Sequence, residues 1–306
     1  MPLFKVGSPS RRRGFGGYGR SGRSSGLGGL IGGGKGRIVV AVVIALIALV
    51  SFWFGTQENP ITGEKERVSL SLEQETRMGL SSAPEMVQQM GGQVPQSSEA
   101  AQFVRQTGEK LMRESGLADK MRENNVPWQF SFTLLDDPNT VNAFALPGGP
   151  VFITTALLDR LENEAQLAGI LGHEIGHVVE RHGAERMAKQ QLGQQLAGAA
   201  AVGTGDLSAA QATQFISGFI NMSYGRQDEL ESDTYGLNYM IEAGYDPREM
   251  VRVMEILKEA SGGGGQPEFM STHPLPESRI EDIKAFVEKK FPDGVPESLG
   301  VGREFR

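Results

Sequence analysis

The sequence predicts an α+β chain, mostly α, with a small β-hairpin or sheet beside a histidine-bearing helix and one transmembrane helix ahead of it. Three observations carry this. Residues 38–54 form an uninterrupted apolar run, the chain from Asn163 onward is patterned for helices, and two short strand-like runs before it are joined by Pro147-Gly148-Gly149-Pro150.

The apolar run reads IVVAVVIALIALVSFWF from Ile38 to Phe54. As a helix it spans about 25 Å, near the lower limit for crossing a bilayer. Trp53 and its neighbouring phenylalanines close one end, where amphipathic rings favour the membrane interface. A cleaved signal peptide would end in small residues, whereas this run ends in Phe52-Trp53-Phe54, so a retained anchor is the reading. Residues 1–37 carry eight Lys or Arg, no acid and thirteen glycines, and are expected to form a disordered basic tail. The positive-inside rule keeps that tail cytoplasmic and sends everything after Gly55 to the far side, periplasmic in a bacterium. An organellar inner membrane is the alternative location.

The chain carries a formal charge of −7, so the eight positive charges of the tail leave fifteen net negative charges on the rest. So acidic a body argues against a nucleic-acid partner; the bilayer is the expected partner of residues 38–54. The absence of cysteine excludes disulfides, a thiol nucleophile and a cysteine zinc site.

Residues 55–65 read as a linker with a turn at Asn59-Pro60, and residues 66–306 as one domain. Helices are expected near Leu72–Met90 and Ser98–Ser115. Strands are expected at Trp128–Leu135, Val141–Leu146 and Val151–Thr155, the last two forming a hairpin. Asn163 is placed as the N-cap of the next helix, with Gln166 completing a capping box. Further helices fit Glu185–Ala201, Ala209–Tyr224, Asp228–Ala243, Pro247–Glu259 and Pro276–Lys289, with a glycine-rich loop from Ser261 to Gly265. The small-residue stretch from Leu192 to Val202 is too short to span a membrane and reads as a buried or membrane-facing helix.

Residues 173–177 read His-Glu-Ile-Gly-His. Four positions apart on a helix, His173 and His177 project from one face and can reach one tetrahedral ion. Glu174 lies about 100° round, free to act as general base toward a water that such an ion acidifies. Leu167, Leu171, Ile175 and Val178 lie opposite, which predicts one face in the core and the imidazoles facing a cleft. Gly176 costs ~1 kcal/mol relative to Ala in a helix, and the close approach of a strand or substrate backbone would account for it.

A catalytic zinc site takes three protein ligands and keeps one position open. His182, five positions past His177, would point away from the metal if the helix continued. A carboxylate from another helix is the remaining route. Glu229 and Asp233 share a helix face, so Glu229 can ligate the ion while Asp233 accepts a hydrogen bond from a ligand histidine. Gly236 on that face would let the two helices pack closely.

His173-Glu174-Ile175-Gly176-His177, then Glu229-Leu230-Glu231-Ser232-Asp233, then Thr272-His273-Pro274 with Arg279-Ile280, resemble the gluzincin zinc metallopeptidases of family forty-eight. That family includes the CAAX prenyl endopeptidases, the heat-shock protease HtpX, periplasmic quality-control proteases and a mitochondrial inner-membrane protease. The resemblance covers about residues 66–290, and the segment from Val141 to Gly149 also matches. It implies a gluzincin-like metallopeptidase domain with one Zn2+ held by His173, His177 and Glu229, and Glu174 as general base. It also implies that His273 and Arg279 stabilise an oxyanion, or that His273 gates the metal. The strand beside the zinc helix, Val141–Leu146 with Asn142 or its hairpin partner, would bind substrate backbone. Ser232 stands where the family usually has Ala. One predicted span, and no TPR repeat, make prenylated substrates a poor fit and polypeptides in envelope quality control the better analogy. From the residues alone, His273 before Pro274 reads as a surface turn residue.

The rival reading is a membrane-tethered chaperone-like or binding protein whose zinc is structural, with all four positions filled, for instance by His273.

Overall fold

The computed structural model describes residues 34–204, 223–261, 268–274 and 277–305. Most of the tail, nearly all of the expected Ala209–Tyr224 helix and most of the Ser261–Gly265 loop lie outside them.

Helix α1 (Gly34–Phe54) holds the apolar run, and its large side chains are exposed. The stretch expected as a plain linker instead begins a hairpin of β1 (Thr56–Glu58) and β2 (Lys65–Arg67). Asn59 is the reason. Its Oδ1 accepts from the amides of Ile61 and Thr62, while its buried Nδ2 donates to Glu66 and to the carbonyl of Val179. The turn thus caps itself and fastens to the end of the histidine-bearing helix.

Helices α2 (Leu72–Gln89) and α3 (Glu99–Glu114) follow where expected, with Ser71 and Ser98 as N-caps. A short α4 (Leu117–Glu123) was not anticipated; it starts after Gly116, whose φ of 68° a residue with a side chain rarely adopts. Strands β3 (Ser131–Leu135), β4 (Ala143–Ala145) and β5 (Pro150–Thr154) form a mixed sheet in the order β3-β5-β4. Strand β5 runs parallel to β3 and antiparallel to β4, which leaves β4 at the edge.

After a turn of helix, α5 (Thr155–Leu158), comes α6 (Glu164–Val179), the centre of the domain. Every residue from Ala165 to Val179 is buried, so the expected split between core face and open cleft gives way to a helix enclosed on all sides. Asn163 caps it through the amide of Gln166, but Gln166 turns its own carbonyl to the amide of Glu162, so only half of the expected capping box forms. The C-terminal strap pins the same end, Val301 and Arg303 accepting from the amides of Ala165 and Glu164.

Helix α6 stops at Glu180, and Arg181 turns the chain with φ 51° into α7 (His182–Thr204). Helix α8 (Arg226–Glu242) lies across α6 at very short range. A Cβ on Gly172 would meet Gly236 at 3.1 Å, and one on Gly176 would meet the Ser232 backbone at 3.0 Å. Gly172 and Gly176 are explained by this helix crossing, rather than by the strand or substrate expected at Gly176. Helices α9 (Glu249–Ser261), α10 (Glu268–Thr272) and α11 (Glu277–Lys290) complete the order.

Candidate metal centre

The α6–α8 crossing brings side chains from distant parts of the chain to one point. His173 Nε2 and His177 Nε2 face each other at 3.0 Å. The Glu229 carboxylate of α8 approaches each of them to 3.5 Å. His273, just past α10, places Nδ1 at 3.3 Å from His173 Nε2 and 3.1 Å from Glu229. Ligands ~2.0–2.1 Å from a tetrahedral ion stand about 3.3–3.4 Å apart, so this spacing fits one divalent cation. One ligand atom from each of the four residues lies within 4.8 Å of the others.

Protonation fits as well. Asp233 Oδ1 lies 2.9 Å from His173 Nδ1 and can only accept, so the proton sits on Nδ1 and the Nε2 lone pair faces the centre. His177 is oriented by a residue that helical extrapolation had discarded. Because α6 ends at Val179, His182 starts a new helix and returns its Nδ1 to 2.9 Å from His177 Nδ1. Glu231 faces His182 Nε2 at 3.1 Å and accepts a hydrogen bond from it. His182 Nδ1 must then accept, and His177 Nδ1 must donate to it. Ser232 Oγ lies 3.3 Å from the same nitrogen. The spacing of five residues carried no such signal; the break at Arg181 made it.

The two inner imidazoles shift in opposite directions. Burial pushes His177 well below its usual range, which suits a neutral ligand. Burial also opposes charge on His173, but the Asp233 hydrogen bond and the charges of Glu229 and Asp233 outweigh it and raise that ring. Burial would raise Glu229 and Asp233 too. His273, His177 and Arg279 nevertheless hold Glu229 well below the carboxylate range, and Arg279 with His173 lowers Asp233.

Glu174 is different. It is fully buried, the Ala145 amide of β4 faces it without closing a hydrogen bond of normal geometry, and burial raises its pKa. Its Oε1 lies 3.5 Å from His273 Nε2, a buried atom without a hydrogen-bond partner. An ionisable group this enclosed costs stability and marks a functional site.

Arg279, expected near an oxyanion, lies behind the centre. Its guanidinium bonds Asp233 at 2.6 and 2.8 Å, Glu229 at 2.5 Å and the Pro274 carbonyl at 3.0 Å. Asn142 is buried just before β4, its amide nitrogen bonded to Thr154 Oγ1 and its side-chain oxygen without a partner. His273, expected from its residues as a surface turn, is fully buried. Tyr224, which the sequence did not single out, stacks on His177 with ring centroids 3.8 Å apart.

Residues 98–287 match the sequence model of peptidase family M48. The chain belongs to that family. This M48 chain is 30% identical over 259 residues to the beta-barrel assembly-enhancing protease of Escherichia coli, covering 81% of the chain and 50% of that protein. It is 31% identical over 231 residues to the mitochondrial metalloendopeptidase OMA1 of Schizosaccharomyces pombe, covering 74% of the chain and 65% of that protein. OMA1 of Saccharomyces cerevisiae is 34% identical over 172 residues, 54% of the chain and 49% of that protein. The M48 chain thus spans about half to two thirds of the length of these relatives. Zinc is the ion that fits both the family and the donor set of two to three imidazoles and a carboxylate.

Proposed function

We propose that the chain is a membrane-anchored zinc metalloendopeptidase acting on proteins in envelope or organellar quality control. One observation carries this reading: two imidazole nitrogens and a carboxylate converge at 3.0–3.5 Å beside a fully buried glutamate. His173, His177 and Glu229 would hold the ion. When bound it supplies Lewis-acid polarisation of a scissile carbonyl and acidifies the attacking water.

The chain's own groups do the rest. Glu174 takes the proton from the attacking water and delivers it to the leaving amine; its raised pKa suits both transfers. Strand β4 orients the substrate. With Asn142 and Leu146 bonded to β5, the alternation of an antiparallel pair turns the amides and carbonyls of Ala143 and Ala145 to the free edge. Since β5 is central, β4 rather than its hairpin partner takes this role. His273 lies between the donors and Glu174, 3.1 Å from Glu229 and 3.5 Å from Glu174, so on this reading it serves as a gate that must leave for substrate to reach the ion. Helix α1 is long and apolar enough to cross a membrane, and on this reading it anchors the chain with the basic tail cytoplasmic.

The burial of His273 within the donor ring also favours a second reading, a structural zinc site with four filled positions in a tethered binding protein. Zinc content and casein hydrolysis by the full chain, with and without chelator, separate the two. Glu174→Gln is expected to keep zinc and lose hydrolysis; His177→Ala should lose both, and His273→Ala should raise turnover. Bound zinc with no hydrolysis even in His273→Ala would establish the second reading.

A further inference from the structure

Helix α7 begins at the candidate metal centre and ends against the anchor. Its principal packing partner is α1, a contact second in extent only to the α6–α8 crossing. The Arg67 amide, in the hairpin that follows α1, bonds Glu185 in the first turn of α7. The start of α7 therefore lies level with the end of α1, and the two helices run antiparallel, away from the domain. Ala48, Ser51 and Phe52 of α1 share a crevice of about 170 Å³ with Gln191, Leu192 and Gln195 of α7. Ala199 of α7 is buried as well. At ~1.5 Å per residue, Ala199 lies about 12 Å farther from the domain than Gln191, beside the middle of the apolar run.

The composition of α7 changes along that path. Lys189 is its last charged residue, and the next in the chain is Asp206. Gln190, Gln191, Gln194 and Gln195 follow within two turns, and Gln191 and Gln195 share the crevice with Ala48, Ser51 and Phe52 at the end of the apolar run, where polar groups suit a membrane interface. Beyond them the helix reads Leu-Ala-Gly-Ala-Ala-Ala-Val-Gly. Ala197 and Gly198 are exposed, and a Cβ on Gly193 or Gly198 would meet nothing within 4 Å. Small residues let helices close on one another in a bilayer, and an uncharged helix satisfies its own backbone there.

We infer that the outer half of α7, from about Leu196, is embedded in lipid beside α1, so that the domain is held to the bilayer by two helices. The occupant of its exposed face is acyl chain. The inference rests on the reading of α1 as a membrane anchor. Its consequence is a fixed height: His182, in contact with His177, lies about 12 Å along α7 from Gln190 at the interface.

The absence of native cysteine makes single-cysteine probing direct. The full chain is reconstituted in phosphatidylcholine vesicles as Val43→Cys in α1, Ala197→Cys and Gly198→Cys in α7, and Glu85→Cys on the domain surface. Each variant is tested with a membrane-impermeant maleimide and, after bimane labelling, with nitroxides on lipid acyl chains. Residues in hydrocarbon should react about tenfold or more slowly than Glu85→Cys and be quenched by the nitroxides. The expected result is that both α7 positions behave like Val43→Cys. Should they react as fast as Glu85→Cys while Val43→Cys is protected, the inference falls and the anchor stands. Protection without acyl-chain quenching would place them under protein and overturn it too. If Val43→Cys itself labels freely, the anchor reading fails and takes the inference with it. None of these readouts depends on proteolysis.

Discussion

Two buried arginines stand behind α6, one near each end of the motif, and each faces two carboxylates. Arg279 bonds Glu229 and Asp233 of α8, behind the metal centre. Arg181, at the break after α6, bonds Glu66 of the β1–β2 hairpin and Glu75 of α2. The electrostatic outcomes are opposite. Glu229 and Asp233 are held below the carboxylate range despite burial, whereas burial pushes Glu66 up to about 8 and also raises Glu75. Imidazole hydrogen bonds add to the guanidinium at the first cluster, so both carboxylates there stay ionised, and the single guanidinium leaves negative charge for a cation to offset. At Arg181 two acids share a single cation, and the cheapest arrangement keeps a proton. Similar residues therefore make a cation site in one place and a near-neutral clamp in the other.

Substitutions can break this contrast. Arg279→Met would leave two ionised carboxylates buried without their countercharge, at a cost of ~3–5 kcal/mol. Lower thermal stability and loss of bound zinc are expected, read by calorimetry and metal analysis. Arg181→Met should cost less, ~1–3 kcal/mol, because its partners can neutralise themselves, and zinc per chain should stay at the wild-type level. A loss of zinc as large as that of Arg279→Met would erase the distinction.

The His182 contact can be tested alongside. His182→Phe removes the acceptor that sets the tautomer of His177, and zinc affinity should fall ~10–100-fold with the fold retained. Chelator competition measures it; unchanged affinity would reduce His182 to packing.

A pH profile tests the second cluster by itself. Glu66 has a folded-state pKa of about 8 against an ordinary 4.5. Its contribution to stability is thus complete below the ordinary value and is lost as pH rises through the folded one. The melting temperature of Glu66→Gln relative to the wild type should therefore climb between about pH 5 and pH 9, by roughly 2–4 °C for each kcal/mol gained. A flat difference would mean that Glu66 is ionised in the fold, and the two arginine clusters would then be electrostatically alike.

Most helices are legible because periodicity and caps are local: Asn163 caps where expected, and Ser71 and Ser98 cap the two helices expected near Leu72 and Ser98. The hairpin of β4 and β5 was legible from its Pro-Gly-Gly-Pro turn. What the pattern missed came from contacts across the chain. Asn59 ordered a stretch read as linker by reaching Val179, 120 residues away. Helix α6 is buried on every side because α8 and α9, the C-terminal strap and β4 surround it, which its own residues do not record.

The sequence alone determined that His173 and His177 share a helix face with Glu174 between their rows, and that residues 38–54 are uncharged and apolar. Helical geometry sets the first and composition the second. Only the tertiary structure decided that His182 supports His177, that Arg279 backs Glu229 and Asp233, that His273 closes the ring of donors, and that α7 runs along α1. The reason is physical: over four residues the backbone dictates direction, but over a hundred only the burial of packed surfaces brings side chains together.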